Sequence, residues 1–270
     1  MALNYIKGDL VDLTNLTWSL SRTSSGTAGS FLKAYEERDG QKYYYKMSNY
    51  DSVRGVIGHE SINEIVAQNI AEMLNIEHLN YQLLHCLIKV SDSVFETWLT
   101  CSRDFKRPGE SKMTFETYYE IVRHDNEDIL TFIKRMGLKE YFYNMFLLDY
   151  IICNRDRHGA NIEVLQKGEE YRLAPLFDNG LSFMFSCYND GKKMKEFDKM
   201  KDGPVNNYVG SMNLSDNLKL VPESERKRVN IPLKEQLFRG LENAQGSVPD
   251  EYWDSIYEMV RERVEYVKKL

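Results

Sequence analysis

The segment from Leu138 to Ile152 limits the possible folds more than any other part of this 270-residue chain. Read as a helix, it carries apolar or aromatic side chains on nearly every face: Tyr141, Phe142, Met145, Phe146, Leu147, Leu148, Ile151 and Ile152. A helix with such a surface is stable only when it is buried on all sides. We therefore predict a mainly helical core around this segment, and the 42% hydrophobic content is sufficient to fill it.

The first hundred residues combine strand and helix patterns. Strand-like runs cover residues 31–37, 41–47, 82–90 and 94–101. The first two runs flank Arg38-Asp39-Gly40, which predicts a β-hairpin with glycine at its turn. A helix begins at Ser61, after which apolar side chains recur at helical spacing. We therefore predict an α+β protein in which residues 1–100 form a small antiparallel sheet with one helix.

Residues 101–270 carry mainly helical patterns, and the boundary between the two units lies near 101–109. Helical spacing covers 115–122, 127–136, 138–152, 232–242 and 250–270. A second hairpin surrounds Lys167-Gly168-Glu169-Glu170. Residues 189–209 are polar and rich in lysine, which predicts a solvated, mobile loop. The alternative is a segment that guides an acidic substrate.

Charge and cysteine content exclude several classes of protein. Lys and Arg number 35 and Asp and Glu number 41, so the net charge is −6. This balance argues against non-specific binding to nucleic acid or to an anionic membrane, which requires a basic face. The N-terminus lacks a basic region followed by an apolar one, and no apolar stretch is long enough to span a membrane. The four cysteines are far apart, which predicts reduced thiols and a cytoplasmic location.

Two short polar segments carry the chemistry. Residues 154–161 place Asn161 five positions after Asp156, and residues 173–180 place Asp178 after a predicted hairpin. Phosphoryl transfer from ATP needs one carboxylate for the proton of the attacking hydroxyl, and an amide oxygen and a second carboxylate for Mg²⁺. The same spacing of Asp and Asn occurs in the catalytic loop of protein kinases. The pattern predicts a kinase that uses ATP and Mg²⁺.

These motifs resemble a known family. The order D-R-H-x-x-N followed by L-A-P-x-[FY]-D, together with Tyr44-Tyr45-Lys46-Met47 and Asn63-Glu64, resembles the HipA-type serine/threonine kinases of bacteria. The D-R-H-x-x-N core is shared with phosphatidylinositol kinases. The resemblance implies a two-lobed protein-kinase-like fold with ATP in the cleft. Only about 20 residues precede the predicted phosphate loop, so the chain resembles the compact form. We therefore expect no direct nucleic-acid contact, while an antitoxin-like or regulatory protein partner stays open.

The resemblance assigns roles residue by residue. Asp156 is implied as the catalytic base, and Asn161 and Asp178 as the magnesium ligands. Lys46 is implied to reach the ATP phosphates, held by Glu64. The implied phosphate-covering loop contains Ser24, Ser25, Gly26, Thr27 and Gly29. The implied adenine contacts are Leu99, Thr100, Cys101 and Ser102.

Purely structural roles remain as alternatives for several of these residues. Glu64 lies three residues after Ser61, as in a helix capping box, and that role competes with holding Lys46. The alternative for Lys46 is a solvated lysine on the strand, with no role in binding phosphate. Strand parity puts Tyr44 and Lys46 on one face of the sheet, opposite the face that carries Tyr43, Tyr45 and Met47. His158 is expected to brace its loop rather than to bind metal.

The predicted function is ATP- and Mg²⁺-dependent phosphorylation of a protein serine or threonine, with autophosphorylation. A serine in the implied phosphate loop, Ser24 or Ser25, is the expected site of the latter. Three alternatives differ in class: a kinase with a lipid or small-molecule hydroxyl as acceptor, a nucleotide-sensing pseudokinase, and a nuclease based on the His-x-x-Asn fragment. A nuclease leaves the second acidic segment unexplained. The intact Lys46, Asp156, Asn161 and Asp178 argue against a pseudokinase.

Overall fold

The structure is a computed structural model, and it describes residues 8–19 and 31–270. Strands in the first half of the chain are β1 (Val11–Leu13), β2 (Lys33–Arg38), β3 (Gln41–Met47), β4 (Tyr50–Asp51), β5 (Gly55–Val56), β6 (Tyr81–Val90) and β7 (Ser93–Arg103). Those in the second half are β8 (Ser111–Thr114), β9 (Asp156–Arg157), β10 (Glu163–Lys167), β11 (Glu170–Leu173) and β12 (Asn206–Asn207).

All of the α-helices in the described ranges except the first lie after residue 100. They are α1 (Glu60–Met73), α2 (Phe115–Val122), α3 (Ile129–Arg135), α4 (Lys139–Ile152), α5 (Gly191–Glu196), α6 (Leu214–Leu218), α7 (Glu223–Lys227), α8 (Lys234–Leu237) and α9 (Asp250–Lys269). Three 3₁₀ turns cover Gly159–Asn161, Phe185–Cys187 and Glu242–Ser247. The predicted α+β class is confirmed. None of the helices in the described ranges is long and apolar enough to cross a membrane.

The main sheet has five strands in the order β1-β6-β7-β3-β2. Its pairs are antiparallel as predicted, except that β1 runs parallel to β6. The β2–β3 hairpin turns at Asp39 and Gly40, whose φ angles are +51° and +71°. Positive φ at both central residues gives a tight turn whose twist matches that of the strands, and glycine adopts it without steric cost.

Burial along β3 alternates as strand parity predicts. Tyr43, Tyr45 and Met47 are buried, whereas Tyr44 on the opposite face is exposed. The buried residues belong to a sheet core that also includes Trp18, Leu32, Ile88, Leu99 and Cys101. The other face of β3 carries Lys46 and is turned toward the helical half of the chain. This arrangement points the lysine away from the sheet core.

A larger helical core surrounds α4. Phe142, Leu148 and Ile151 are buried within it, as the apolar pattern of this segment predicts. Although α1 lies in the first hundred residues, its side chains Ile62, Val66 and others belong to this same core. Helix α1 therefore fixes the sheet to the helical half, and it carries Glu64 between them.

Two predictions about the second half are wrong. Residues 189–209 contain α5 and pack against the rest of the chain, with Met194 and Val205 buried, rather than forming a solvated loop. Side chains from α9 hold this segment: Arg263 donates to the Lys199 carbonyl at 2.8 Å, and Glu258 pairs with the Lys199 ammonium at 2.5 Å. The helix predicted over 232–242 is only the single turn of α8. In both segments the buried residues are scattered among many charged ones. The sequence pattern therefore indicated neither the packing of residues 189–209 nor the shortness of α8.

Candidate active site

Three charged side chains meet between the sheet and the helical half. Lys46 on β3 donates a hydrogen bond to Glu64 of α1 at 3.0 Å and a shorter one to Asp178. The Lys46 side chain is only 12% exposed, and that of Glu64 is 1% exposed. The Lys33 ammonium lies 3.8 Å from the second carboxylate oxygen of Asp178. The lysine is therefore a buried group paired on two sides, and the alternative of a solvated strand lysine is excluded.

The electrostatics of this cluster follow from its burial. Burial alone lowers the pKa of the Lys46 ammonium, but the carboxylates of Asp178 and Glu64 outweigh it, so the pKa is raised. Burial likewise opposes the charge on Asp178, and Lys46 and Lys33 together bring the pKa of this carboxyl well below its usual range. The pKa of Glu64 is raised, because burial and the neighbouring Asp178 exceed the effect of Lys46. Lys46 and Asp178 are thus held charged.

Glu64 forms the ion pair and not the helix cap. Helix α1 begins one residue before Ser61, with His59 at the N-cap position and no side-chain cap. The Ser61 N–H instead donates to the Ser48 hydroxyl at 2.9 Å. The second carboxylate oxygen of Glu64 accepts from the Asn179 N–H at 2.8 Å. Glu64 therefore links the strand lysine to the backbone directly after Asp178.

The loop after α4 positions Asp156. Its N–H donates to the Asn154 side chain at 3.0 Å, and one oxygen of its carboxylate accepts from the Asn206 side-chain amide at 2.7 Å. Asn206 is placed there by the parallel pairing of β12 with β9, in which it lies opposite Asp156. His158 lies 3.7 Å from the other carboxylate oxygen. The hydrogen bond from Asn206 thus fixes the position of one oxygen of the Asp156 carboxylate.

Asn161 and His158 shape the rest of this loop. The Nδ1 atom of His158 accepts from the Ala160 N–H at 3.2 Å and caps the 3₁₀ turn Gly159–Asn161, which agrees with the expected bracing role. The side-chain amide of Asn161 donates to the Asp156 carbonyl at 2.7 Å. With its nitrogen committed to that bond, Asn161 keeps its oxygen as an acceptor.

A buried arginine joins the two polar segments. Arg157 donates to both carboxylate oxygens of Asp149, at 3.0 and 2.7 Å, and to the Phe177 carbonyl at 2.7 Å. It also donates to the Asn179 side chain at 2.6 Å. Burial alone lowers the pKa of Arg157, but Asp149 outweighs it and the pKa is raised. The Arg157 guanidinium therefore forms hydrogen bonds with the residues on both sides of Asp178.

The backbone at Asp178 has an unusual conformation that its neighbours hold in place. Its φ is +58°, in the left-handed region, and its N–H donates to the Tyr81 hydroxyl at 3.2 Å. Asn63 of α1 donates to the carbonyls of Gly180 and Ser182, at 2.9 and 3.1 Å. Positive φ in a residue other than glycine costs free energy and persists where surrounding contacts enforce it. These contacts turn the Asp178 carboxylate toward Lys46.

The groups line one cleft of about 420 Å³. Its walls include Lys46, Asp178 and Asn161, whereas Asp156, five residues before Asn161 in the same loop, is not one of the lining residues. Of the implied adenine contacts, Thr100 and Ser102 line the cleft, whereas Leu99 and Cys101 point into the sheet core. Side chains alternate across a strand, so only every second residue of β7 can face the cleft. The loop residues Ser24, Ser25, Gly26, Thr27 and Gly29 lie outside the described residues.

Three positioning residues were missed by the motif analysis: Arg157, Asn63 and Asn206. Arg157 is part of the D-R-H-x-x-N motif but received no role there. A buried arginine needs several acceptors at fixed positions, and the sequence alone does not identify them. Asn206 comes from a segment 50 residues after Asp156, and its role depends on the β9–β12 pairing. A short two-residue pairing leaves no periodic signal in the sequence.

The donor set fits Mg²⁺ as the metal. Asp178 offers carboxylate oxygens and Asn161 an amide oxygen, and Mg²⁺ prefers such hard oxygen ligands and keeps several waters. Within the described ranges, no group of three or more His, Cys, Asp and Glu side chains could hold a metal ion by itself.

Comparisons with known proteins concern the sequence and the fold as a whole. No protein-family model matches the chain. A curated relative, the serine/threonine-protein kinase CtkA of Helicobacter pylori strain J99, is 33% identical over 79 residues. That alignment covers 28% of this chain and 22% of the relative, so the matched segment spans about a fifth of the relative's length.

Solved structures extend the comparison to the whole chain. The crystal structure of the H. pylori proinflammatory kinase CtkA superposes with a TM-score of 0.62 at 16% identity, covering 97% of this chain and 98% of CtkA. HipA of Shewanella oneidensis MR-1, from a complex with HipB and operator DNA, matches with a TM-score of 0.45 at 13% identity, covering 93% of this chain and 68% of HipA. The chain therefore has the fold of the CtkA crystal structure.

Proposed function

We propose that the protein is an ATP- and Mg²⁺-dependent serine/threonine protein kinase of HipA-like type. The observation that carries the proposal is the joint placement of Lys46, Glu64, Asp178 and Asn161 around one cleft, beside the loop of Asp156. Each group has the chemistry that phosphoryl transfer requires. The fold shared with CtkA, a protein whose name describes it as a serine/threonine kinase, supports the same conclusion.

In the proposed reaction, the oxygen of an acceptor hydroxyl attacks the γ-phosphorus of ATP. The bond between that phosphorus and the bridging oxygen of ADP breaks, and the hydroxyl proton passes to the carboxylate of Asp156. Asn206 holds one oxygen of that carboxylate, which leaves the other for the proton. The Lys46 ammonium binds phosphate oxygens, and Glu64 fixes its direction. Positioning and charge stabilisation of this kind supply most of the catalysis in phosphoryl transfer.

Asp178 and Asn161 are proposed to hold Mg²⁺. An ion held by these two residues would supply positive charge against the negative charge that develops during transfer. Arg157, through its bonds to residues 177 and 179, keeps the Asp178 carboxylate in place for this purpose. The Lys46 ammonium pairs with Asp178 in this structure. We expect it to exchange that contact for a phosphate oxygen when ATP binds.

The acceptor is proposed to be a protein hydroxyl, including one in the chain itself. Ser24 and Ser25, in the implied phosphate loop, are the expected autophosphorylation sites. A phosphate there adds about −1.5 to −2 charges near the expected ATP phosphates, and this repulsion weakens ATP binding. A regulatory or antitoxin-like partner protein is proposed on the sequence resemblance alone.

The test is incubation of the protein with γ-labelled ATP and Mg²⁺, alone, with a cell lysate and with mixed lipids. We expect label in protein, and mass spectrometry to place phosphate within residues 21–30. Asp156→Asn is the matched control, since it removes the base but no proposed ATP contact, so it should bind ATP and transfer nothing. Label confined to lipid contradicts the protein acceptor, and absence of transfer with intact ATP binding contradicts the kinase.

A further inference from the structure

A second cavity, of about 290 Å³, lies beside the first turn of α1. Strand β3 pairs with β7 only as far as Leu99, so within the described ranges the first half of β7 has no strand on that side. The cavity lies between this part of β7, the β4–β5 hairpin and α1, and it shares no lining residue with the cleft. We call it the α1 pocket, and the lining residues that bear on its chemistry are Arg54, His59, Ser61, Phe95, Glu96 and Asn189.

His59 is a buried polar side chain without a hydrogen-bond partner. It is only 2% exposed, and neither ring nitrogen forms a hydrogen bond with any of the described residues. The Asn189 side chain and the Tyr188 backbone lie close enough to oppose the lowering of its pKa by burial, but they complete no hydrogen bond with it. Packing against Tyr252 fixes the ring, with centroids 5.2 Å apart and planes at 75°. The imidazole therefore offers one donor and one acceptor that a ligand in the pocket can satisfy.

Other lining groups keep free donor hydrogens. The Arg54 guanidinium has one contact among the described residues, to Asp51 at 3.5 Å, so most of its N–H donors have no acceptor in the protein. The Ser61 hydroxyl accepts from the Ser48 hydroxyl at 2.9 Å, and its own hydrogen has no acceptor in the part of the chain that the structure describes. Side-chain donors from separate elements therefore converge on one cavity, an arrangement that suits the oxygen atoms of an anion.

The nearby acids already have partners. Glu96 lines the pocket, but it is 59% exposed and its carboxylate lies 2.8 Å from the Nε2 atom of His85, so water screens its charge. The buried Glu60 accepts from the Asn49 N–H at 2.9 Å and does not line the pocket. The one acidic lining residue in the described ranges is therefore a solvated carboxylate that is already paired.

The α1 pocket also has an apolar wall. Phe95 of β7 and Val56 of β5 line it, and Tyr50 holds the Phe95 ring by an edge-on contact with centroids 5.6 Å apart. Gly55 allows the hairpin to approach this ring closely, since a Cβ there would lie 3.1 Å from it. The volume of about 290 Å³ is larger than a bare phosphate or acetate ion needs, and small for a ligand pocket. The space fits an anion that carries an apolar group about the size of one ring.

We propose that the α1 pocket binds a small organic anion, whose carboxylate or phosphate group is held by Arg54, His59 and Ser61 and whose apolar group packs against Phe95. Such a ligand gives His59 the partner that it otherwise lacks in the protein interior. The site is separate from the cleft, and the inference does not rest on the proposed kinase function. Because the pocket adjoins the first turn of α1, its ligand contacts the helix that carries Glu64.

Calorimetric titration of the full chain tests the class of ligand. The probes are phenyl phosphate and benzoate, in which an anion is attached to a ring, whereas inorganic phosphate lacks the ring and benzyl alcohol lacks the charge. We expect phenyl phosphate or benzoate to bind at a single site, at least about fivefold more tightly than either comparison compound. Mg²⁺ and ADP, which occupy the cleft in the proposed kinase, should leave this affinity unchanged. Failure of both anions to bind, equal binding of either comparison compound, or displacement by ADP overturns the inference.

Substitutions then locate the site. Arg54→Gln and His59→Phe should each weaken binding of the anion by about tenfold, the lower end of the range for a hydrogen bond to a charged group. Phenylalanine keeps a ring against Tyr252 but removes both nitrogens. Arg123→Gln is the matched control for Arg54, because each arginine pairs with an acid three residues away and Arg123 does not line the pocket.

The arginine variant decides the test even if His59→Phe does not fold, because the Arg54 side chain is 71% exposed and its replacement leaves the protein interior unchanged. Wild-type affinity in Arg54→Gln, or an equal loss of affinity in Arg123→Gln, contradicts the assignment of the anion to the α1 pocket.

Discussion

Replacing Glu64 by Gln tests whether the buried ion pair serves phosphoryl transfer. The Glu64 carboxylate accepts one hydrogen bond from Lys46 and one from the Asn179 N–H, at 3.0 and 2.8 Å. Glutamine has one acceptor oxygen, so one of the two donors must lose its partner and meet an amide N–H₂ instead. Hydrogen bonds to a charged group contribute about 1.5–3 kcal/mol. If that contribution is lost where Lys46 is aimed at the phosphates, the rate falls by about 10- to 150-fold.

Stability should change much less than the rate. Burial raises the pKa of Glu64, which means that the charged carboxylate is costly in this site, and glutamine removes that cost. Lys46 also keeps Asp178 as a partner. We therefore expect Tm to change by less than about 4 °C, corresponding to about 1 kcal/mol. Lys46→Met is a poorer test, because it leaves the buried Glu64 carboxylate without its cation and destabilises the fold as well.

The assay is transfer of labelled phosphate under single-turnover conditions, with thermal unfolding of the same samples. Glu223→Gln is the control, since it removes an exposed carboxylate that pairs with Lys227 on α7, far along the chain from the cleft residues. It should leave both the rate and Tm unchanged. A wild-type transfer rate in Glu64→Gln would refute the reasoning, because it would mean that Lys46 needs no second carboxylate.

Three further perturbations test other parts of the site. Asp178→Asn should abolish most of the difference in ATP affinity between Mg²⁺ and EDTA, and equal wild-type affinity in both would contradict the metal site. Asn206→Ala should lower kcat by about tenfold with KM for ATP unchanged, because the Asp156 carboxylate loses its orienting bond, and a change in KM alone would contradict this. Burial lowers the pKa of His59 to about 4. Since the unfolded state binds this proton first, the free energy of unfolding should fall by about 2 kcal/mol between pH 7 and pH 5, a loss that His59→Phe removes and His124→Phe on the exposed surface does not.

The sequence predicted those parts of the fold that leave a periodic or motif signal. The buried helix around Phe146 and the β2–β3 hairpin follow from apolar spacing and from turn chemistry, and both are present. The burial of Lys46 with Glu64 agrees with the role that the family resemblance implied. The capping box at Ser61 satisfied the same local pattern and was not formed, because Ser48 from another part of the chain takes that N–H. Local patterns cannot choose between two partners when the deciding group lies far away in sequence.

The position of Asp178 depends on contacts from both halves of the chain, which explains why the site could not be derived from its motifs alone. From the first half of the chain, Glu64 and Asn63 of α1 bind the backbone of residues 179, 180 and 182. On the helical side, Arg157 binds the residues on either side of Asp178, and Tyr252 of α9 donates to the Asn63 side chain at 3.0 Å. The C-terminal helix thus orients the residue of α1 that holds this segment. A left-handed backbone at Asp178 is maintained because these separate elements converge on it, and the motif residues acquire their geometry only in that assembly.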